Sequence, residues 1–292
     1  MTAALLRQVS RSFFILGCCI SCLAQRSFAQ DWQQLSSDHF NLYFVSADDK
    51  FARAVLDKSE VYYAQIASDL GYARYSEFWT WANKVKIYIY PGQTSFMEAT
   101  GQPEWSQGMA DYLKKEIIGY FGSKGFEDSI LPHEMAHLIF RDFVGFKGEV
   151  PLWLDEGVAQ WHEKVRREEV RRMTKSQYEK DSLLSIKDMM KLDIRNIKYK
   201  DTVYIRPIKT KSGERGVLFL SGDSLISTYY LQAVSLVDFL IAEYGTDTFT
   251  HFCRQLRDGK SLEEALGFAY PAFIRNLDDL ERVWKNYIEE KT

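Results

Sequence analysis

Alternating apolar and polar positions predict β-strands in the first half of the chain. The segments are HFNLYFV (39–45), KVKIYIY (84–90) and ADYLKKEIIGYF (110–121), the last of which is long enough for one or two strands. The sides expected to be buried are Phe40, Leu42 and Phe44 in the first segment and Val85, Ile87 and Ile89 in the second.

Apolar residues at helical spacing alternate with these strands and dominate the second half. Helices are expected at 49–70 before Gly71, at 94–100, at 151–180 after Pro151, at 227–245 and at 277–288. The sequence SLEE at 261–264 has the form of a capping box. Residues 181–222 give mixed signals, with strands possible at 201–208 and 216–220.

This order of elements predicts an α+β fold. A small mixed sheet with helices is expected in an N-terminal lobe, residues 30–145, and a mainly helical lobe in residues 146–292. A helix near position 133 would close the first lobe and line a cleft between the two.

The first 29 residues differ from the rest. They contain three arginines and no acid, an apolar run of 13 residues (12–24), and the small-x-small sequence Ser27-Phe28-Ala29. This pattern is typical of a secretory signal peptide, and the run is short for a membrane span. An exported protein, periplasmic or extracellular, is therefore expected, with an uncleaved anchor as the alternative.

Charge and cysteine content narrow the choice of function. The whole chain has a net charge of −3, and loss of three arginines with residues 1–29 makes it −6. An acidic protein of this kind is not an obvious binder of nucleic acid. Only Cys253 would remain after cleavage, so the mature chain could form no internal disulfide, and its stability would depend on core packing and on any bound metal. No stable membrane span is expected in it.

The stretch LPHEMAHLIF (131–140) contains two of the five histidines, four residues apart. On a helix His133 and His137 share one face and can bind one zinc ion. Glu134 is rotated by about 100° from His133, so it is better placed to act on a water molecule at the metal than to bind the metal itself. This is the HExxH pattern, with two ligands and a general base. One Zn²⁺ per chain is expected.

A catalytic zinc site needs a third protein ligand. Phe140 and Phe143 stand where the HExxHxxGxxH pattern has glycine and histidine, so the ligand must come from elsewhere. His39 and His251 could simply be exposed, and His162 is expected on the surface. The segment PLWLDEGVAQW (151–161) offers two adjacent carboxylates, Asp155 and Glu156, of which only one can bind the metal because neighbours on a helix point apart.

The segment WLDEGVAQW resembles the WLxEGxA segment of the gluzincin metallopeptidases, such as the aminopeptidase N-like enzymes. Eighteen residues separate His137 from Glu156, which is the family spacing, so the resemblance implies that Glu156 is the third ligand. A closer likeness, to the compact peptidase MA-like domains of exported proteins, covers residues 36–290. Asp155 would then be either a charge favoured at a helix N-terminus or a group that orients a ligand histidine.

The chain differs from known gluzincins in two segments and resembles them in one further helix. QGMADY (107–112) does not match the GxMEN-type segment of aminopeptidase N-like enzymes, so endopeptidase action is expected instead. Gln160 stands where thermolysin-like enzymes have an aspartate. The sequence YYLQAVSLVDFL is similar to the family helix that supplies a tyrosine to the oxyanion, which implies this role for Tyr230, with Tyr229 as the rival.

The expected function is that of an exported zinc metallopeptidase that hydrolyses peptide bonds, with Glu134 and Tyr230 as catalytic groups and a peptide or protein as substrate. Two alternatives remain open. The chain could be a catalytically weak zincin-fold binding or scaffold protein of the cell envelope, or a zinc hydrolase of a non-peptide amide or ester. The intact Glu134 favours catalysis, since a pure binder needs no base there.

Export gives the first testable prediction. Mature protein recovered from the secreted fraction should begin near Gln30, because the small-x-small site follows the apolar run directly. Intact-mass measurement checks this, and a secreted product that still contains Met1–Ala29 would contradict it.

Overall fold

The computed structural model describes residues 31–45, 49–72, 83–104, 106–145, 150–163, 167–197, 202–210 and 212–291. The expected signal peptide, residues 1–29, lies outside this part of the chain. The expected boundary between the lobes, at 145/146, adjoins residues 146–149, which also lie outside it.

A five-stranded mixed sheet occupies the first part of the fold. Its strands are β1 (Gln33–Ser36), β2 (Phe40–Phe44), β3 (Val85–Tyr90), β4 (Gly108–Asp111) and β5 (Glu116–Tyr120). The order is β1-β2-β3-β5-β4; β2, β3 and β5 run parallel, and β1 and β4 are antiparallel edge strands. The predicted alternation is confirmed, since β2 and β3 bury every second residue. The segment 110–121 contains parts of two strands, joined by a tight turn.

Ten α-helices are described. They are α1 (Asp49–Asp69), α2 (Gln93–Thr100), α3 (Leu131–Val144), α4 (Leu152–Trp161), α5 (Arg167–Glu179), α6 (Ile186–Met189), α7 (Gly222–Tyr244), α8 (Thr246–Arg257), α9 (Leu262–Ala269) and α10 (Leu277–Lys291). Gly71, with φ +69°, follows the end of α1 as expected. The capping box at Ser261 and Glu264 is confirmed at the start of α9.

The prediction of one helix over 151–180 is wrong, because α4 ends at Trp161 and α5 begins at Arg167. At the end of α4 the backbone tightens, with His162 and Glu163 donating N–H bonds to carbonyls three residues earlier. Arg167 stabilises this end: its Nε donates to the Trp161 carbonyl at 2.9 Å and its guanidinium lies 3.6 Å from the centroid of the Trp161 ring.

The second half is mainly helical but includes a two-stranded antiparallel sheet, β6 (Val203–Lys209) and β7 (Arg215–Ser221). The fold is therefore α+β, with a mixed sheet and helices followed by a helical region. Among the described helices, α7 is the one that is long and apolar enough to cross a membrane. Its most apolar 18-residue stretch has a mean hydropathy of 1.5, but 78% of that stretch is buried within the fold. Its packing in the core accounts for its apolar composition.

Close contact between α4 and α7 fixes the framework of the second half. A Cβ atom on Gly157 would lie 2.4 Å from the Ala233 carbonyl oxygen, so only glycine allows the two backbones to approach this far. The residue beside Gly157 is Glu156, and Tyr229 and Tyr230 lie one turn before Ala233. The same contact therefore brings Glu156, an expected metal ligand, close to the helix that carries the two candidate tyrosines.

Candidate metal centre

Helix α3 carries the two histidines of the HExxH pattern. It follows a π-helical turn at Phe126–Ile130 and has Pro132 in its first turn, where the missing N–H is no loss. Apolar residues anchor most of its surface in the core. His137 is buried and His133 half-buried, and their rings lie 4.8 Å apart between centroids at 82°. The helix thus directs both imidazoles to one point.

Helix α4 brings Glu156 to this point. Its Oε2 lies 3.9 Å from His133 Nε2 and 3.7 Å from His137 Nε2. In a tetrahedral zinc site with bonds of 2.0–2.1 Å, ligand atoms stand about 3.3 Å apart. These three side chains are the one group of possible metal ligands found in the described ranges, with donor atoms within 4.8 Å of one another.

Each imidazole is oriented by a carboxylate on its other nitrogen. His133 Nδ1 lies 2.9 Å from Glu163 Oε1, and His137 Nδ1 lies 3.1 Å from Asp155 Oδ1. A carboxylate accepts the Nδ1 proton, so the Nε2 lone pair of each neutral ring is left to face Glu156. The donor set therefore fits a zinc ion, with two imidazole nitrogens and one carboxylate oxygen as ligands and both rings held by outer partners.

Asp155 serves a second partner. Its Oδ2 accepts hydrogen bonds from Arg141 Nε at 3.1 Å and Nη2 at 2.7 Å. Burial would raise the pKa of Asp155, but the charges of His137 and Arg141 lower it to about 2. Of the two explanations for Asp155, the geometry supports orientation of His137 by a permanently charged carboxylate.

The local field favours a cation at His137. Burial acts to lower the pKa of this imidazole, but Asp155, Glu156 and Glu134 outweigh burial and raise the pKa to about 9. A bound metal ion would replace the proton that this carboxylate field attracts, so the electrostatics and the donor geometry point the same way.

Glu134 opens into a groove of about 250 Å³ beside the histidines. The groove is lined by Ser106, Gln107, Gly108, Ser129, Ile130, His133, Glu134 and Glu163. Three of these residues belong to or precede strand β4, and a Cβ on Gly108 would come within 2.6 Å of Ile130. Strand β4 thus borders the groove that Glu134 faces.

The two tyrosines of α7 take different positions. Tyr229 is fully buried, its phenol oxygen has no hydrogen-bond partner in the described part of the chain, and burial together with the nearby Glu156 raises its pKa. Tyr230 is half-buried and lines a second groove of about 420 Å³, which Glu163 also borders. Gln232 of the same segment has a structural contact: its amide bonds both the N–H and the carbonyl of Leu184.

The other histidines lie apart from this group. The prediction that His162 is on the surface is wrong, since it is 3% exposed and its Nδ1 lies 2.9 Å from the Val158 carbonyl oxygen. The tightened end of α4 turns this ring inward against Trp161. His39 pairs with Glu60 at 2.6 Å, and His251 lies on an exposed face near Gln255.

Sequence reasoning missed Glu163 and Arg141. Arg141 continues the four-residue spacing of His133 and His137, a signal that could have identified it. Glu163 lies beyond the end of α4, so its position depends on the turn that follows Trp161, which the expected continuous helix concealed.

Comparisons with known proteins find matches among solved structures but none among family models or curated proteins. Among solved structures, native yeast LTA4 hydrolase is similar with a TM-score of 0.47 and 13% identity over 88% of this chain and 38% of that chain. Yeast LTA4 hydrolase in complex with bestatin gives 0.43 and 14%, over 89% and 37%. The chain thus spans less than two-fifths of that enzyme's length, and at such TM-scores the assignment of the site rests on its own geometry.

The histidine–carboxylate contacts generate the second prediction. Glu163→Gln should weaken zinc binding by about 10–100-fold with little loss of stability, because Glu163 orients His133. Asp155→Asn should weaken zinc binding similarly and also destabilise the metal-free protein, because it leaves the largely buried Arg141 without its carboxylate. Asp142→Asn is the matched control, since Asp142 pairs with Lys115 at 2.8 Å.

Zinc titration against a competing chelator and urea unfolding in EDTA measure the two effects. The interpretation fails if Glu163→Gln binds zinc as tightly as the parent, or if Asp142→Asn weakens binding as much as Glu163→Gln does.

Proposed function

We propose that this protein is an exported zinc metallopeptidase of the gluzincin type, bound to one Zn²⁺ through His133, His137 and Glu156. The observation that carries the proposal is the convergence of two oriented imidazoles and a carboxylate next to Glu134. A binding protein would require the ligands, but it would have no use for a further carboxylate facing the adjoining groove.

The chemistry divides between the metal and the side chains. When bound, zinc would supply a Lewis acid that polarises the scissile carbonyl and acidifies water. Glu134 lies beside the ligands and faces the groove, where it would take a proton from the attacking water and pass it to the leaving amine. Glu163 and Asp155 would hold the imidazoles in one tautomer during these transfers.

Strand β4 supports a peptide as substrate. It is an edge strand with one neighbour, β5, among the described strands, and it borders the groove at Gly108. An extended peptide can add to such an edge through main-chain hydrogen bonds, which places a peptide bond along the groove beside Glu134. Internal cleavage is proposed because the amine-binding segment of the aminopeptidases has no match at 107–112.

The third prediction tests the base. Glu134→Gln should bind zinc as the parent does but lose about 10²–10⁴-fold in turnover of a broad peptide library, because an amide cannot accept the proton. His137→Ala, as the comparison variant, should lose zinc and activity together. Parent-like cleavage by Glu134→Gln would place the base elsewhere. A zinc-loaded parent that cleaves no peptide would favour the binding or scaffold function.

Tyr230 is proposed as the donor to the oxyanion that forms when water attacks the carbonyl. Tyr230 lines the second groove, and Glu163, which contacts His133, lines both that groove and the first one. Tyr229 is fully buried beside the α4–α7 contact. A phenol that donates to developing charge would strengthen its hydrogen bond in the transition state.

The fourth prediction separates the two tyrosines. Tyr230→Phe should keep zinc and fold but lower kcat by about a hundredfold or more, with little change in KM, because only the transition-state bond is lost. Tyr229→Phe should leave kcat within a few-fold of the parent. Steady-state kinetics on one fluorogenic peptide measures both. The reverse pattern would assign the role to Tyr229, and no effect from either would remove it from α7.

A further inference from the structure

The hairpin formed by β6 and β7 presents an apolar face to solvent. Val203, Ile205, Val217 and Phe219 are 54%, 64%, 65% and 63% exposed, and they account for four of the eleven exposed large hydrophobic residues in the described part of the chain. Ile205 is paired directly with Phe219, and Val217 with the exposed Pro207. These five residues form the outer apolar face. Scattered exposed apolar residues are ordinary, whereas a contiguous group of this kind marks an interaction surface.

The opposite side of the hairpin is anchored to the protein. Leu218 and Leu220 are buried, and Asp188 receives both a hydrogen bond from the Tyr204 hydroxyl at 2.9 Å and an ion pair from Arg206. Asp188 is itself 8% exposed and belongs to α6. The hairpin therefore has its inner face fixed by packing and ion pairing, which holds the outer apolar face toward solvent.

The surrounding sequence is basic within an acidic protein. Residues 195–215 contain seven Lys or Arg and two Asp or Glu, a net of +5, while the whole chain carries −3. At the end of the outer apolar face, Lys209 and Arg215 are cross-strand partners, and both are exposed, together with Glu214 in the turn. Two cations therefore lie at one end of the outer apolar face. The net charge of the chain outside residues 195–215 is −8.

We propose that the outer apolar face docks this protein onto an anionic phospholipid bilayer. The apolar side chains would enter the headgroup boundary while Lys209 and Arg215 meet lipid phosphates, the combination that binds peripheral proteins to membranes. The acidic remainder of the chain would be repelled, which orients the molecule with the hairpin toward the surface.

The size of the face argues against a second copy of the chain as its occupant. Five side chains of about 100 Å² each would bury on the order of 1,000 Å² in total between two copies, below the roughly 1,200 Å² at which stable interfaces begin. A bare polyanion would use the cations but leave the apolar residues in water. A bilayer surface satisfies both features.

The test is co-sedimentation of the mature protein, residues 30–292, with vesicles of 30% phosphatidylglycerol in phosphatidylcholine, compared with phosphatidylcholine alone. One variant, Ile205→Ser with Phe219→Ser, removes the central apolar pair. A second, Lys209→Glu with Arg215→Glu, changes only exposed tip residues. Val61→Ser with Phe268→Ser is the matched control, since these residues are 52% and 60% exposed on other elements. Residues 1–29 are left out because their apolar run and three arginines would bind anionic vesicles by themselves and mask the contribution of the hairpin.

The parent should bind the anionic vesicles, and the apolar variant should bind on the order of tenfold less. Each cation near an anionic surface contributes roughly fivefold, so the charge-reversed variant should lose on the order of 25-fold or more and most of its salt dependence. The control pair should bind as the parent does. Equal sedimentation of the parent and both hairpin variants would overturn the proposal. A parent protein that does not bind the vesicles would also overturn it. In that case analytical ultracentrifugation would show whether the face forms a dimer instead, one that the Ile205 and Phe219 changes abolish.

Discussion

The concentration of carboxylate charge around His137 is the constraint on which the candidate site depends. Asp155, Glu156 and Glu134 all act on one buried imidazole, and among the described residues one permanent cation, Arg141, pairs directly with one of them, Asp155. Such a cluster is stabilised by further positive charge, such as a proton on the imidazole or a metal ion. A metal ion bound at His137 would supply this positive charge. The positions of the ligands, of their carboxylate partners and of Glu134 are consistent with such an ion.

Helix α4 contributes two adjacent carboxylates to this cluster, and each has a different role. Because successive residues on a helix point about 100° apart, Asp155 reaches the outer nitrogen of His137 while Glu156 reaches the inner nitrogens of both rings. Gly157 then allows α7 to pack directly on α4, which sets Tyr229 and Tyr230 near the same region. The helix pair α4 and α7 therefore contributes both to the candidate site and to the core. The outer apolar face of the β6–β7 hairpin is available for a separate interaction.

The sequence predicted the parts of this arrangement that depend on local periodicity. Strands β2 and β3 and the helix that carries His133 and His137 follow from spacing alone, since side-chain direction repeats with the backbone. Glu156 could not be chosen over its neighbour by spacing and required resemblance to known enzymes. The positions of Glu163 and His162 depend on how the backbone turns at the end of α4, where Arg167 packs on Trp161. Long-range contacts of that kind leave no periodic signal, which explains why one residue was missed and the other wrongly expected on the surface.

X-ray absorption at the zinc edge is the most direct test of zinc binding by His133, His137 and Glu156. For protein loaded with one equivalent of zinc, the account predicts a first shell of two imidazole nitrogens and carboxylate oxygen at about 2.0–2.2 Å, with an open position taken by water. The Glu156→Ala protein should lose the carboxylate contribution and keep both imidazoles. A shell without imidazole, or one unchanged in the Glu156→Ala protein, would contradict the account.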